Sequence, residues 1–251
     1  MTDEQKFLFD LNGWLLFPGV LAGERLADIR RHVLEGGDGF TGPAQELLDH
    51  PLVADVLSEI IGGGPCPEDH YDFRCENSFR TVREAGYQPG QGPHCEYSLR
   101  VSSYRTNGRF IQSGLTRVVW ELNPVNDGDG GTYFLSGSHK AAFPKPESLC
   151  RLPNDYMESY SCPAGSMLVF TETLWHSGAP WTNAETPRAA LFYCYNAVNA
   201  QFHKLNLPAG RVRSMPPKRQ TLFRGVWLQD FTVQPRVAGR NIYYSPQNEA
   251  L

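Results

Sequence analysis

Short strands broken by glycine and proline, preceded by a helical opening, predict an all-β core with flanking helices: a sandwich, jelly roll or barrel. Three observations carry this expectation. Apolar residues in the first sixty positions fall at helical spacing. From about residue 70, Arg, Tyr, Phe, Val and Thr gather in short runs separated by turn sequences such as Asn126-Asp127-Gly128-Asp129-Gly130-Gly131 and Ser136-Gly137-Ser138. No alternating βαβ spacing is visible and no G-x-x-x-x-G-K segment occurs, so a nucleotide-binding α/β fold is not expected.

Taken in order, residues 6–20 read as a short helix or turn and then a strand, punctuated by Asn12-Gly13 and Pro18-Gly19. Residues 21–36 form a clearer helix. Leu26, Ile29, Val33 and Leu34 follow the 3.6 period, and Gly36-Gly37 stops it. A further helical segment carries Leu47, Leu48, Leu52, Val53, Val56, Leu57 and Ile60, with Pro51 at a helix start or kink. Gly62-Gly63-Gly64-Pro65 ends it. Candidate strands follow at 71–75, 78–83, 95–104, 115–121, 131–135, 157–160, 166–171, 188–195 and 221–229. The segment 201–220 reads as a long loop that covers something. No repeat or linker divides the chain, so 1–251 is expected to be one domain, helical over about 1–65 with a β core over about 70–200.

The chain has 251 residues, 41% hydrophobic and 20% charged, with a net charge of −4. Such a length buries a sizeable core without staples. The charge and the lack of a long Lys/Arg run give no reason to expect nucleic-acid binding. No apolar stretch approaches 18 residues, so no membrane span is expected. Six scattered cysteines without a C-x-x-C pair, behind an acidic polar opening, suit reduced thiols in a cytoplasmic protein.

The chemistry concentrates at Gly92-Pro93-His94-Cys95-Glu96-Tyr97. On a strand, residues two apart share a face and sit roughly 6.5 Å apart, so His94 and Glu96 can converge on one ion while Cys95 points away. A second imidazole, His176, follows the candidate strand 166–171 in Leu174-Trp175-His176-Ser177-Gly178. Two His and one carboxylate with open positions are the ligand set of non-haem Fe(II) oxygenases. The competing reading puts His94 and Glu96 on a solvated strand face. His139 also lies near a strand end, where hydrogen bonding that fixes the turn is the simpler role. Arg188 opens a strand after the His176 loop. Such an Arg is either a surface residue or, if His176 binds metal, a bidentate clamp for a carboxylate.

These segments together resemble the phytanoyl-CoA dioxygenase family of Fe(II)/2-oxoglutarate oxygenases. The likeness runs from Gly13-Trp14-Leu15-Leu16-Phe17-Pro18-Gly19-Val20-Leu21 through His94-x-Glu96, Thr116 to Val125, Gly130 to Lys140 and Pro163 to Phe170, and on to His176, Arg188 and about Tyr195. Glu96 stands where the family usually has Asp, and Ser136 where it often has Pro. The resemblance implies a double-stranded β-helix, a jelly-roll variant. It implies Fe(II) held by His94, Glu96 and His176, and 2-oxoglutarate as cosubstrate with Arg188 on its far carboxylate and Trp120 and Thr132 beside it. The expected reaction uses O2 to hydroxylate a small, anionic metabolite, releasing succinate and CO2. Arg100, Tyr104 and Arg105, just after the first ligands, are the candidate substrate contacts. Two alternatives stay open: a cupin-like metal enzyme that does not use 2-oxoglutarate, and an inactive jelly-roll binding protein.

Overall fold

The computed structural model describes residues 1–96, 103–152, 154–205 and 207–226. The chain begins with α1 (Asp3–Asn12), β1 (Trp14–Phe17) and α2 (Gly23–Leu34). A 3₁₀ stretch (Gly42–Asp49) leads into α3 (Pro51–Leu57) and one π turn (Ser58–Gly62). The strands are β2 (Phe73–Arg83), β3 (Arg105–Thr106), β4 (Ile111–Gln112), β5 (Thr116–Glu121), β6 (Thr132–Phe134), β7 (Ser166–Thr171), β8 (His176–Gly178) and β9 (Arg188–Ala197). Two short helices follow, α4 (Ala209–Arg213) and α5 (Pro217–Gln220).

Local chemistry accounts for the opening elements. Thr2 and Gln5 form a capping box at the start of α1. Gly13, at φ 83°, ends α1 by donating its N–H to Phe9 O and turns the chain into β1. On α2, Leu26, Ile29 and Val33 form the buried stripe.

The main sheet is antiparallel, with order β1-β7-β5-β9-β2. Facing it are β6 and β8, extended by bridges from Glu158 to Phe134 and from His94 to His176. The space between holds Val119, Phe134, Leu168, Phe170, Leu174 and Phe192. This is a jelly roll. The helices cover the other face of the main sheet, where Trp120, Leu191, Tyr193 and Tyr195 meet Ile29, Leu47 and Val53. Two tyrosines fasten that layer: Tyr193 donates to Ala44 O at 2.8 Å and Tyr195 to Leu48 O at 2.7 Å. No helix among the described residues is long and apolar enough to cross a membrane.

Several boundaries differ from the sequence reading. The runs 71–75 and 78–83 are one strand, β2, with a bulge: Cys75 pairs with Tyr195 and Asn77 with Cys194, leaving Glu76 as the extra residue. The region 157–160 contributes only a bridge. Within 221–229, Thr221–Phe223 is a buried 3₁₀ turn rather than a strand, and 227–229 lie outside the described residues. Positions 97–102 of the candidate strand 95–104 also lie outside them. The expected loop at 201–220 contains α4 and α5, each preceded by a proline, whose fixed φ suits a helix start.

Candidate active site

The two imidazoles predicted to meet do meet. His94 and His176 exchange both backbone hydrogen bonds at 2.9 Å, which places their side chains opposite each other on one face. Their ring centroids are 4.5 Å apart. Phe170, from the strand that leads into His176, packs 4.8 Å from its ring and fixes that wall.

Hydrogen bonding sets the tautomers. His176 Nδ1 lies 2.8 Å from Leu174 O, and His94 Nδ1 lies 3.0 Å from Gly92 O. A carbonyl only accepts, so each Nδ1 carries the proton and each Nε2 presents a lone pair. Burial, with the neighbouring His94, lowers the His176 pKa against the opposing pull of Glu172, which favours the neutral imidazole.

Glu172 was not anticipated from the sequence. Its N–H donates to Leu115 O, and its carbonyl accepts the Glu96 N–H at 2.8 Å. Its buried carboxylate pairs with Arg117 through Oε1, while Oε2 stands 3.7 Å from His176 Nε2. Burial alone would raise its pKa, yet Arg117 and His176 hold it below the usual carboxylate value. A cation placed between Glu172 Oε2 and His176 Nε2 would be shared by both. Glu96 reaches this place by its backbone, next to Glu172. Two Nε2 lone pairs beside the Glu172 carboxylate are the kind of donor set that a divalent transition metal takes.

A second polar group lies deeper between the sheets. Arg188, 1% exposed, donates to both oxygens of Glu121, to Gly131 O at 2.8 Å, to Thr132 Oγ1 at 3.2 Å and to Tyr160 Oη at 3.1 Å. Against burial, Glu121 and Tyr160 raise its pKa, so the guanidinium stays charged. Thr132 pairs with Gly178, two residues along β8 from His176, so this group sits roughly 6.5 Å further along the same strand.

The remaining predicted residues separate from these groups. Trp120 lies on the opposite face of the main sheet, in the helix-facing core, its ring 5.2 Å from that of His50. Strand alternation puts Val119 and Glu121 inward and Trp120 outward. Tyr104 donates to Asp10 at 2.7 Å and packs against His139 at 4.5 Å, which ties it to α1 rather than to the imidazoles. Arg105 is exposed on the β3–β4 hairpin. Arg100 lies outside the described residues. His139 is held by Asp10 O at 3.1 Å, the turn-fixing role read from sequence.

Among the described residues, three metal-ligating side chains converge within 4.8 Å of one another at Glu76, Cys194 and His203, whereas the ligand atoms of His94, Glu96 and His176 do not close to that distance. The Glu76 carboxylate already accepts the N–H groups of Phe202 and His203, at 3.0 and 3.1 Å, and so pins the loop after β9.

No protein-family model matches the chain, and no curated protein sequence does. Solved structures do. HygX from Streptomyces hygroscopicus, with nickel and 2-oxoglutarate bound, superposes with a TM-score of 0.67 at 15% identity over 85% of this chain and 94% of its own. HygX with iron bound gives 0.65 at 17% identity, over 86% and 94%. The non-haem α-ketoglutarate-dependent epimerase SnoN from nogalamycin biosynthesis gives 0.56 at 17% identity, over 83% and 85%. At these identities the likeness establishes the fold, and the phytanoyl-CoA dioxygenase resemblance stays a motif-level one.

Proposed function

We propose that the chain is a non-haem Fe(II)/2-oxoglutarate-dependent oxygenase that oxidises a small molecule, hydroxylation being the favoured outcome. The observation that carries this reading is the facing pair His94 and His176, both with Nδ1 tied to a carbonyl and Nε2 left as a donor to metal. Its fold neighbours HygX and SnoN, crystallised with 2-oxoglutarate or α-ketoglutarate and a metal, support the same chemistry.

His94, Glu96 and His176 would hold the ion. Bound iron with 2-oxoglutarate would supply the oxidising power drawn from O2, with succinate and CO2 as co-products. The chain's own work is positional. The Leu174 and Gly92 carbonyls orient the imidazoles. Glu172, backed by Arg117, keeps negative charge beside His176 and helps retain a cation. Phe170 and Phe134 line the wall and limit water. Arg188 with Thr132 closes the inner end.

The test is an anaerobic titration of the protein with Fe(II) and 2-oxoglutarate, followed by aeration with candidate substrates. A visible charge-transfer band and substrate-dependent succinate are expected, and His176→Ala should lose both. Equal succinate from the wild type and the variant would end this reading. The saturation of Arg188 by Glu121 favours one other reading, a jelly-roll metal enzyme that does not use 2-oxoglutarate. That enzyme would bind metal yet give no band with the keto acid.

A further inference from the structure

Among the described residues between the sheets, one guanidinium has no carboxylate paired with it. Arg117 is matched by Glu172 and Arg188 by Glu121. Arg83, at the end of β2, pairs directly across from Arg188 in the β2–β9 ladder. Like charges placed opposite each other on a sheet repel. Its side chain reaches across the sandwich to β8, where a Cβ on Gly178 would lie 3.0 Å from its Nη1. Tyr87 covers the guanidinium face at 4.3 Å. Among the described residues its buried Nη1 has no hydrogen-bond partner. A buried charged donor without a partner is costly, so the site is poised for an anion. Burial and the neighbouring Arg188 both disfavour the charge that Arg83 carries, which a bound anion would relieve.

Position gives the anion its class. Gly178 follows His176 by two residues on β8, so Arg83 Nη1 stands roughly 6.5 Å along the strand from the imidazole pair. A five-carbon dicarboxylate chelating a metal at His176 puts its second carboxylate about one such step away, since its carbon chain adds roughly 1.5 Å per bond. Arg188 has little capacity left for that carboxylate, because its nitrogens already serve Glu121, Gly131, Thr132 and Tyr160.

Resting on the function proposed above, we infer that Arg83, rather than Arg188, is the principal anchor for the far carboxylate of the keto-acid cosubstrate, with the Arg188–Glu121 pair as the floor beneath it. Gly178 is then the residue whose missing side chain lets Arg83 approach β8.

The experiment compares two keto acids on the anaerobic Fe(II)-loaded protein: 2-oxoglutarate, and 2-oxopentanoate, which lacks the far carboxylate. Dissociation constants are read from the charge-transfer band. Arg83→Gln should weaken 2-oxoglutarate at least tenfold and leave 2-oxopentanoate unchanged, which also shows that the variant is folded. Arg83→Lys should recover part of the loss. Unchanged 2-oxoglutarate affinity in Arg83→Gln, or equal weakening of both acids, overturns the assignment while leaving the oxygenase reading intact. A wild type that binds metal but neither acid removes that reading and this inference together.

Discussion

At the residue scale, the interior is organised by arginine–carboxylate pairs rather than by the imidazoles alone. Arg188 and Glu121 are both almost fully buried, so removing one partner strands the other. Arg188→Met should therefore lower unfolding free energy by about 3–5 kcal/mol in urea titrations. The double variant Arg188→Met with Glu121→Leu should recover most of it, because an apolar pair of similar volume has no charge to desolvate. Some of this was legible in the chain and some was not. His94 and His176 could be named because imidazoles near strand ends are few. Glu172 could not, since a glutamate in a turn after a strand reads as solvated until Leu115, Arg117 and His176 are seen to surround it. Glu121 carries a signal readable in the chain: a carboxylate at an inward position of Thr116–Glu121, which demands a buried cation. Trp120 departs from its expected place beside the cosubstrate because alternation on that strand sends it to the helices.

At the element scale, the junction of α1 and β1 is clamped by one histidine. His139 Nε2 donates to Asp10 O, and its buried Nδ1 faces Gly13, where a Cβ would come within 2.6 Å. Burial lowers its pKa from 6.5 to about 4, outweighing the Asp10 carbonyl that would raise it. As pH falls below 6.5 the unfolded chain takes a proton there that the folded chain refuses until about pH 4. Stability from this group is thus fully present above pH 6.5 and lost between there and pH 4. At about 1.4 kcal/mol per unit the loss is on the order of 3 kcal/mol. His139→Gln should flatten that part of the stability profile, which chemical denaturation at several pH values will show. The helical elements were readable because their apolar stripes are regular, as on α2. β8 was not, because three residues, His176–Gly178, are too short for any period to show.

At the scale of the whole molecule, the site joins parts far apart in sequence: the bridge at His94, the β8 strand and the start of β9. Whatever binds there favours only the assembled jelly roll. Fe(II) with 2-oxoglutarate at a hundred times its dissociation constant should add about 2.7 kcal/mol to stability, and the thermal midpoint should rise by several degrees. Anaerobic thermal melts check this, and His176→Ala should show no rise. The all-β architecture was legible because turn sequences mark its corners. The partition of residues between the inner space and the helix-facing side was not, because both faces of the main sheet are buried and β7 and β9 are covered throughout Ser166–Thr171 and Arg188–Asn196.

Glu76 carries a last consequence. Phe73 and Cys75 look toward the helices, whereas Phe79 and Arg83 look into the opposite compartment, although all four positions are odd-numbered. Only an unmatched residue in the middle of the strand reconciles those directions. Excising that single codon would leave the ladder able to close without interruption, and the price would be a change of parity: either the first half or the second would be turned inside out. Length here acts as information, one residue long, telling a continuous strand where its inside becomes its outside.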